Sequence, residues 1–273
     1  VGSVEEFSGP ERGEHVLQLH RTEDERLDGL TAWVSRGLAA GEKVICTELP
    51  RLPAGSLVAM LEARGVDGAA AVRDRRLAVL PAEDFYAAEG HTAVAERALA
   101  EGFPGVRVSA EERAWLTVLS PAAHQVVERQ MDELVCTRPV RTLCQYPQAS
   151  TTGAELQDVV AVHRSGVRET VFATTRDLDG LALHGEIDGS NTDVFRAVLA
   201  VASRRASRVL WLDLADAAHL DAGGCWRLDD ATRAFRAAGG YVLLIAPQPP
   251  VELILQLMEV DELPGMHLMA GRP

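Results

Sequence analysis

The chain has 273 residues, 47% hydrophobic and 25% charged, which excludes a mainly disordered chain, a collagen and a small disulfide scaffold. At roughly 100–200 residues per domain it has room for two. Net charge is −13, with 23 acids and 16 bases in residues 1–150 and 17 acids and 11 bases in 151–273, so neither half has the basic footprint of a nucleic-acid binder and no direct nucleic-acid contact is expected.

The first half alternates strand and helix. Residues 15–19 suit a strand. Thr22 with Glu25 three positions on is a capping-box pattern, and the helix behind it puts Leu27, Leu30, Val34 and Leu38 on one face until Gly41. Residues 43–47 form a second strand, 57–64 a helix, 77–80 a strand, 91–101 a helix and 106–109 a strand. Ser120 caps a helix that has Pro121 at its first position and runs to about Leu134. Residues 140–146 are a fifth strand and 155–163 a further helix. Five strands interleaved with helices imply a mostly parallel sheet covered on both faces.

Such sheets bind ligands beyond the carboxyl ends of their strands. His20 and Arg21, Glu48, Asp84 and Tyr86, Glu111 and Glu112, and Pro147 and Gln148 fall there. The residues proposed to line a small-molecule pocket are His20, Glu48, Tyr86, Glu111 and Trp115. Glu111 and Glu112 could pair as general acid and base, but adjacent side chains diverge, and the favoured reading is a solvated helix start. The closest string to a P-loop is Gly-Leu-Ala-Ala-Gly-Glu-Lys-Val at 37–44. Its spacing is wrong, Glu42 intrudes, no hydroxyl follows Lys43, and it lies at a helix-to-strand turn. No G-x-G-x-x-G is present.

The second half opens with a strand over 167–174. Leu181 and Leu183 mark another, running into Gly-Glu-Ile-Asp at 185–188. Ser190 or Asn191 caps a helix whose face carries Val194, Val198, Val201 and Ala202. Residues 208–214 read as a buried strand, and the turn His-Leu-Asp-Ala-Gly-Gly-Cys at 219–225 leads into a helix with Cys225, Leu228, Thr232 and Phe235 on one face. A central strand at 241–246 and a helix at 251–259 complete a small α/β domain.

Cys46, Cys136, Cys144 and Cys225 form no C-x-x-C pair, and Cys46 and Cys144 read as small core hydrophobes inside strands. The eight histidines lack H-E-x-x-H or H-x-H spacing, so neither a metal nor another cofactor is expected. No apolar run reaches about 18 residues, so no membrane contact is expected, and residues 1–13 lack the apolar core of a signal peptide. The chain reads as cytoplasmic. Lys43 is the single lysine among 27 basic residues and alanine is abundant, a bias that points to a GC-rich, actinobacteria-like coding genome.

Several strings resemble the MEDS (methanogen/methylotroph sensory) domain: His-Val-Leu-Gln-Leu-His at 15–20, Gly-Leu-Ala-Ala-Gly-Glu at 37–42, Glu-Gly-Phe-Pro-Gly-Val-Arg-Val-Ser at 101–109, Trp115, and Leu-Cys-Gln-Tyr at 143–146. The resemblance implies a sensory domain over 14–164 with a RecA-like, three-layer α/β core that has lost its Walker lysine. Ala110 stands where that family tends to have glycine.

The second half resembles the STAS domain of anti-sigma factor antagonists. The matching pieces are Leu-His-Gly-Glu-Ile-Asp at 183–188, the strand at 210–214, Leu-Asp-Ala-Gly-Gly at 220–224, and Gly-Gly-Tyr-Val-Leu-Leu-Ile-Ala-Pro at 239–247. The resemblance implies a STAS domain over 167–273 that docks an anti-sigma factor or related regulatory protein through Asp188, Asp221, Ala222, Gly223 and Gly224. Where the family carries its phosphorylated serine this chain has Ala222, which has no hydroxyl. The expectation is therefore a non-enzymatic regulator of transcription with its input through the front half; a homodimer is compatible with it. The alternatives are a nucleotide-hydrolysing enzyme built on the front half, or a scaffold without signalling input.

Overall fold

The computed structural model describes residues 13–48, 53, 55–87, 90–177 and 180–271. The chain falls into two compact units, one ending at Ser150 and one beginning at Thr151. Both are mixed α/β, and most strand pairings are parallel.

The N-terminal unit contains, in order, β1 (His15–His20), α1 (Glu23–Ala39), β2 (Lys43–Thr47), α2 (Ser56–Glu62), α3 (Gly68–Arg73), β3 (Leu77–Leu80), α4 (Ala82–Phe85), α5 (Gly90–Ala100), β4 (Val106–Glu111), α6 (Glu112–Trp115), α7 (Pro121–Thr137) and β5 (Val140–Pro147). All five expected strands are present. They pair in parallel in the order β1-β5-β4-β2-β3, with His15 opposite Thr142, Val106 opposite Val140, Lys43 opposite Val106 and Val44 opposite Leu77. The short helices α3, α4 and α6 were not expected, because four to six residues give too few turns to show a period.

Alternation along β2 sends its side chains to opposite faces. Val44 and Cys46 pack with Leu27, Leu30, Val34, Leu57 and Leu61, while Ile45 packs with Phe85, Ala95, Val108, Met131 and Leu134. Helices thus cover both faces, as a parallel sheet requires. Thr22 caps α1 by accepting from the Glu25 N–H at 3.2 Å, and Ser120 caps α7 through the Ala123 N–H at 3.3 Å.

The P-loop-like string has a structural cause. A Cβ on Gly37 would lie 2.7 Å from Val44 Cγ2 and 2.8 Å from Arg107 Cδ, so glycine lets α1 approach the sheet. Lys43 Nζ donates to the Arg75 carbonyl at 2.5 Å and to Glu101 Oε2 at 3.2 Å. Glu42 is held by Arg107 and Arg141. The charges of this string are spent on the fold.

The C-terminal unit contains α8 (Gly153–Val162), β6 (Gly166–Arg168), β7 (Phe172–Asp177), β8 (Gly180–Ile187), α9 (Thr192–Arg205), β9 (Val209–Leu220), α10 (Ala222–Ala237), β10 (Tyr241–Ile245), α11 (Pro249–Leu257) and β11 (Met266–Met269). Its sheet runs β6-β7-β8-β9-β10-β11; the first two pairings are antiparallel and the rest parallel. The single strand expected over 167–174 is two strands, because the chain reverses at residues 169–171 so that Arg168 pairs with Ala173. Strand β9 is longer than expected and reaches Leu220 through register shifts against β8. Helix α8 lies along α9, where Arg204 Nη1 donates to Gln157 Oε1 at 2.9 Å and Arg205 to the Ala161 carbonyl. Phe172 and Phe195 are buried in its core, and their rings meet edge to face with centroids 5.9 Å apart.

Candidate functional site

At the carboxyl ends of β1, β4 and β5 the N-terminal unit builds a chain of polar side chains that links buried Arg26 and Glu111 through exposed Glu23 and Arg113. Arg26 Nη2 donates to Glu23 Oε1 at 2.6 Å, Arg113 Nη2 to Glu23 Oε2 at 2.9 Å, and Arg113 Nε to Glu111 Oε1 at 2.5 Å. On the inner side Gln145 Nε2 donates to Gln18 Oε1 and to the Arg26 carbonyl, each at 2.9 Å. His20 closes β1 and is buried. Burial, with the charges of Arg26 and Arg113 adding to it and that of Glu23 opposing, lowers its imidazole to about 4, so it is neutral near pH 7. Burial raises the Glu111 carboxyl, against the pull of Arg113 and Arg26. His20 Nε2, Thr47 Oγ1 and Glu111 Oε2 are buried without a hydrogen-bond partner among the described residues. Each can make a further hydrogen bond that the described residues do not supply.

The expected pocket residues divide. His20 and Glu111 join this network through their shared neighbours Arg26, Arg113 and Glu23. Glu48 instead accepts from the Leu57 N–H at 3.2 Å and caps α2. Trp115 lies flat on His124, with ring centroids 3.8 Å apart. Tyr86 packs edge-on to Phe85, its phenol pushed well up by burial and by the charges of Cys144, Glu128 and Glu111. The reading of Glu111 and Glu112 as a solvated helix start is corrected: both are buried, at 2% and 6% exposure, because α6 folds back over β4 and β5.

Missed by the sequence reading is the buried polar face of α7. His124, Glu128 and Asp132, spaced four apart, face the sheet beside Met131 and Val135. Glu128 Oε2 lies 3.0 Å from His15 Nε2 on β1, and Glu128 Oε1 accepts from Tyr146 OH at 3.2 Å and from His124 Nε2 at 3.0 Å. Burial opposes charge on His15, but hydrogen bonds to Asp132, Cys144 and Glu128 outweigh it and raise the imidazole well above its ordinary value. Cys144, expected among apolar neighbours as Cys46 is, sits 3.6 Å from His15 Nε2. The signal was legible as a polar stripe with helical spacing, but such stripes ordinarily face water.

In the C-terminal unit the two expected turns come together at the ends of β8 and β9, where the Asp221 N–H donates to the Ile187 carbonyl at 3.0 Å. Asp188 Oδ1 accepts from the Ser190 N–H at 2.8 Å and from Ser190 Oγ at 2.7 Å, holding its turn. Asp221 caps α10 by accepting from the Gly224 N–H at 2.7 Å. A Cβ on Gly224 would meet Leu220 Cδ1 at 2.4 Å, so the helix start presses onto the strand end. Ala222 and Gly223 are exposed. One turn further along α10, Trp226 stands 68% exposed. No spacing or motif in the sequence marks it out from a core tryptophan.

Family models match both halves of the chain, the first running past the unit boundary at Ser150 to take in α8. The family model of the MEDS domain, described as the methanogen/methylotroph, DcmR sensory domain, matches residues 14–164, and the STAS domain model matches 174–269. A candidate anti-sigma factor antagonist of Thermotoga maritima is 19% identical over 36% of this chain and 85% of its own, with a TM-score of 0.31. The anti-sigma factor antagonist SpoIIAA in its unphosphorylated form is 20% identical over 36% and 86%, at 0.30. A KaiC-like protein of Pyrococcus horikoshii is 12% identical over 64% and 79%, at 0.43. No curated protein matches the chain. Among the described residues no helix is long and apolar enough to cross a membrane.

Proposed function

We propose, for a chain that belongs to the MEDS family through residues 14–164 and carries a STAS domain over 174–269, that it is a non-enzymatic signalling regulator acting in the cytoplasm. Its STAS half docks an anti-sigma factor or related regulatory protein. Its MEDS half supplies the input by binding a small polar molecule at the carboxyl edge of its sheet, against His20 and Glu111.

The observation that carries the reading is the exposed surface formed by the turns at Asp188 and Asp221, with Ala222 at the helix start and Trp226 one turn beyond. An exposed tryptophan beside rigidly held turns has the form of a binding hot spot. A phosphoryl group at the helix start would add nearly two negative charges beside Asp221 and oppose docking. Ala222 cannot accept one, so control passes to the front half.

The test is calorimetric titration of the full chain with anti-sigma factor kinases from the same cell, with and without ATP. Binding is expected, with Trp226→Ala weakening it at least about tenfold, and ATP leaving residues 221–224 unmodified. Failure of every such kinase to bind, or stoichiometric phosphate on that turn, refutes the reading.

A further inference from the structure

We propose that His15, Glu128 and Cys144 form a transition-metal site in the N-terminal unit, with zinc the ion that suits it best. The three side chains come from β1, α7 and β5 and present one atom each to a common point. His15 Nε2 lies 3.0 Å from Glu128 Oε2 and 3.6 Å from Cys144 Sγ, and Glu128 Oε2 lies 3.9 Å from Cys144 Sγ. A point equidistant from three atoms so spaced is about 2 Å from each. That is the length of a zinc–nitrogen or zinc–oxygen bond and slightly short of the zinc–sulfur bond of about 2.3 Å. A shift of a few tenths of an ångström in the thiol seats the ion.

The surroundings match what a metal requires of its ligands. His15 Nδ1 faces Asp132 Oδ1 at 3.7 Å, longer than a hydrogen bond, so the ring nitrogen away from the site has a carboxylate near it that a small shift would turn into the partner orienting a ligating histidine. The Glu128 oxygen turned away from the site is held by Tyr146 OH at 3.2 Å and His124 Nε2 at 3.0 Å, leaving Oε2 aimed inward. His124 is in turn fixed by stacking on Trp115. His15 is fully buried, and Cys144 and Glu128 are 4% and 5% exposed, so the donors are dry and restrained. Imidazole, carboxylate and thiol together are the borderline-soft set that zinc takes and that magnesium and calcium do not. As the ion binds, the thiol proton leaves to solvent, and a further donor completes the tetrahedron. Without an ion, the same atoms make a buried histidine–glutamate pair beside a thiol, and that is the competing explanation.

The proposal goes beyond the docking surface and is tested separately from it. Full-length protein, stripped by dialysis against a chelator, is titrated with Co²⁺. The expected result is a thiolate-to-cobalt charge-transfer band that saturates at one ion per chain and is displaced by Zn²⁺. Cys144→Ser should abolish the band, while Cys46→Ser and Cys225→Ser keep it. Asp132→Asn should weaken the ion about 10–100-fold. Folded wild type that shows no band, or a band that survives Cys144→Ser, overturns the site. Should Cys144→Ser not fold, X-ray absorption at the zinc edge of the loaded wild type decides: one sulfur with nitrogen or oxygen neighbours supports the site, and a shell without sulfur refutes it.

Discussion

Glutamine in place of Glu42 should destabilise the N-terminal unit by about 3 kcal/mol. Glu42 Oε2 accepts from Arg107 Nε and Glu42 Oε1 from Arg141 Nη1, both at 2.5 Å. The side chains of Glu42 and Arg107 are each 7% exposed, and the Arg107 guanidinium also lies 4.6 Å from the centre of the Trp33 ring. Breaking a buried pair costs about 3–5 kcal/mol, because the surviving charge stays away from bulk water without its counter-charge. Arg141 is 24% exposed and can return to solvent, so its share is small and the lower end of that range applies. Urea unfolding, followed by circular dichroism and tryptophan emission, should show the midpoint of the N-terminal transition falling by about 1–3 M at an ordinary slope. Arg141→Met should cost only about 1 kcal/mol. A loss below about 1 kcal/mol for Glu42→Gln would refute the reasoning, since the pair would then behave as a solvent-screened surface bridge.

Asp221→Ala should cost about 1 kcal/mol through loss of the α10 cap, whereas Asp221→Asn keeps the acceptor and should cost almost nothing; equal losses in urea unfolding would contradict the capping role. His20, lowered to about 4 from 6.5, is protonated in the unfolded chain before the folded one. Its contribution of at most about 3 kcal/mol is therefore full above pH 6.5 and lost as pH falls toward 4, and His20→Gln should flatten the stability profile in that window. Of four cysteines, Cys136 is exposed and the other three are buried, Cys46 with its thiol pushed up to about 12 and Cys144 and Cys225 to about 11 by burial. An aromatic disulfide reagent should thus titrate one fast thiol in the native protein, which Cys136→Ser removes. Ala222→Ser places a hydroxyl on the exposed helix start; if the docking surface still fits a kinase, mass spectrometry should find one phosphate per chain and calorimetry a weaker complex.

Chain-local physics made much of this protein legible. Alternating apolar runs and helix stripes located every strand of the N-terminal unit, because a parallel sheet covered on both faces needs continuous apolar strands with caps and glycine stops between them. Thr22 and Ser120 cap the helices that their residue types and spacing announce. The capping role of Glu48, the two-strand turn at 169–171 and the short helices depended on distant neighbours and left no period to read. The same is true of charge. Glu111 and Glu112 looked solvated until burial and partners from other elements were known. The clearest case is His15, Glu128 and Cys144. Separated by more than a hundred residues at one end and sixteen at the other, they carry no motif spacing, and only the parallel pairing of β1 with β5 beneath α7 brings their donor atoms to one point.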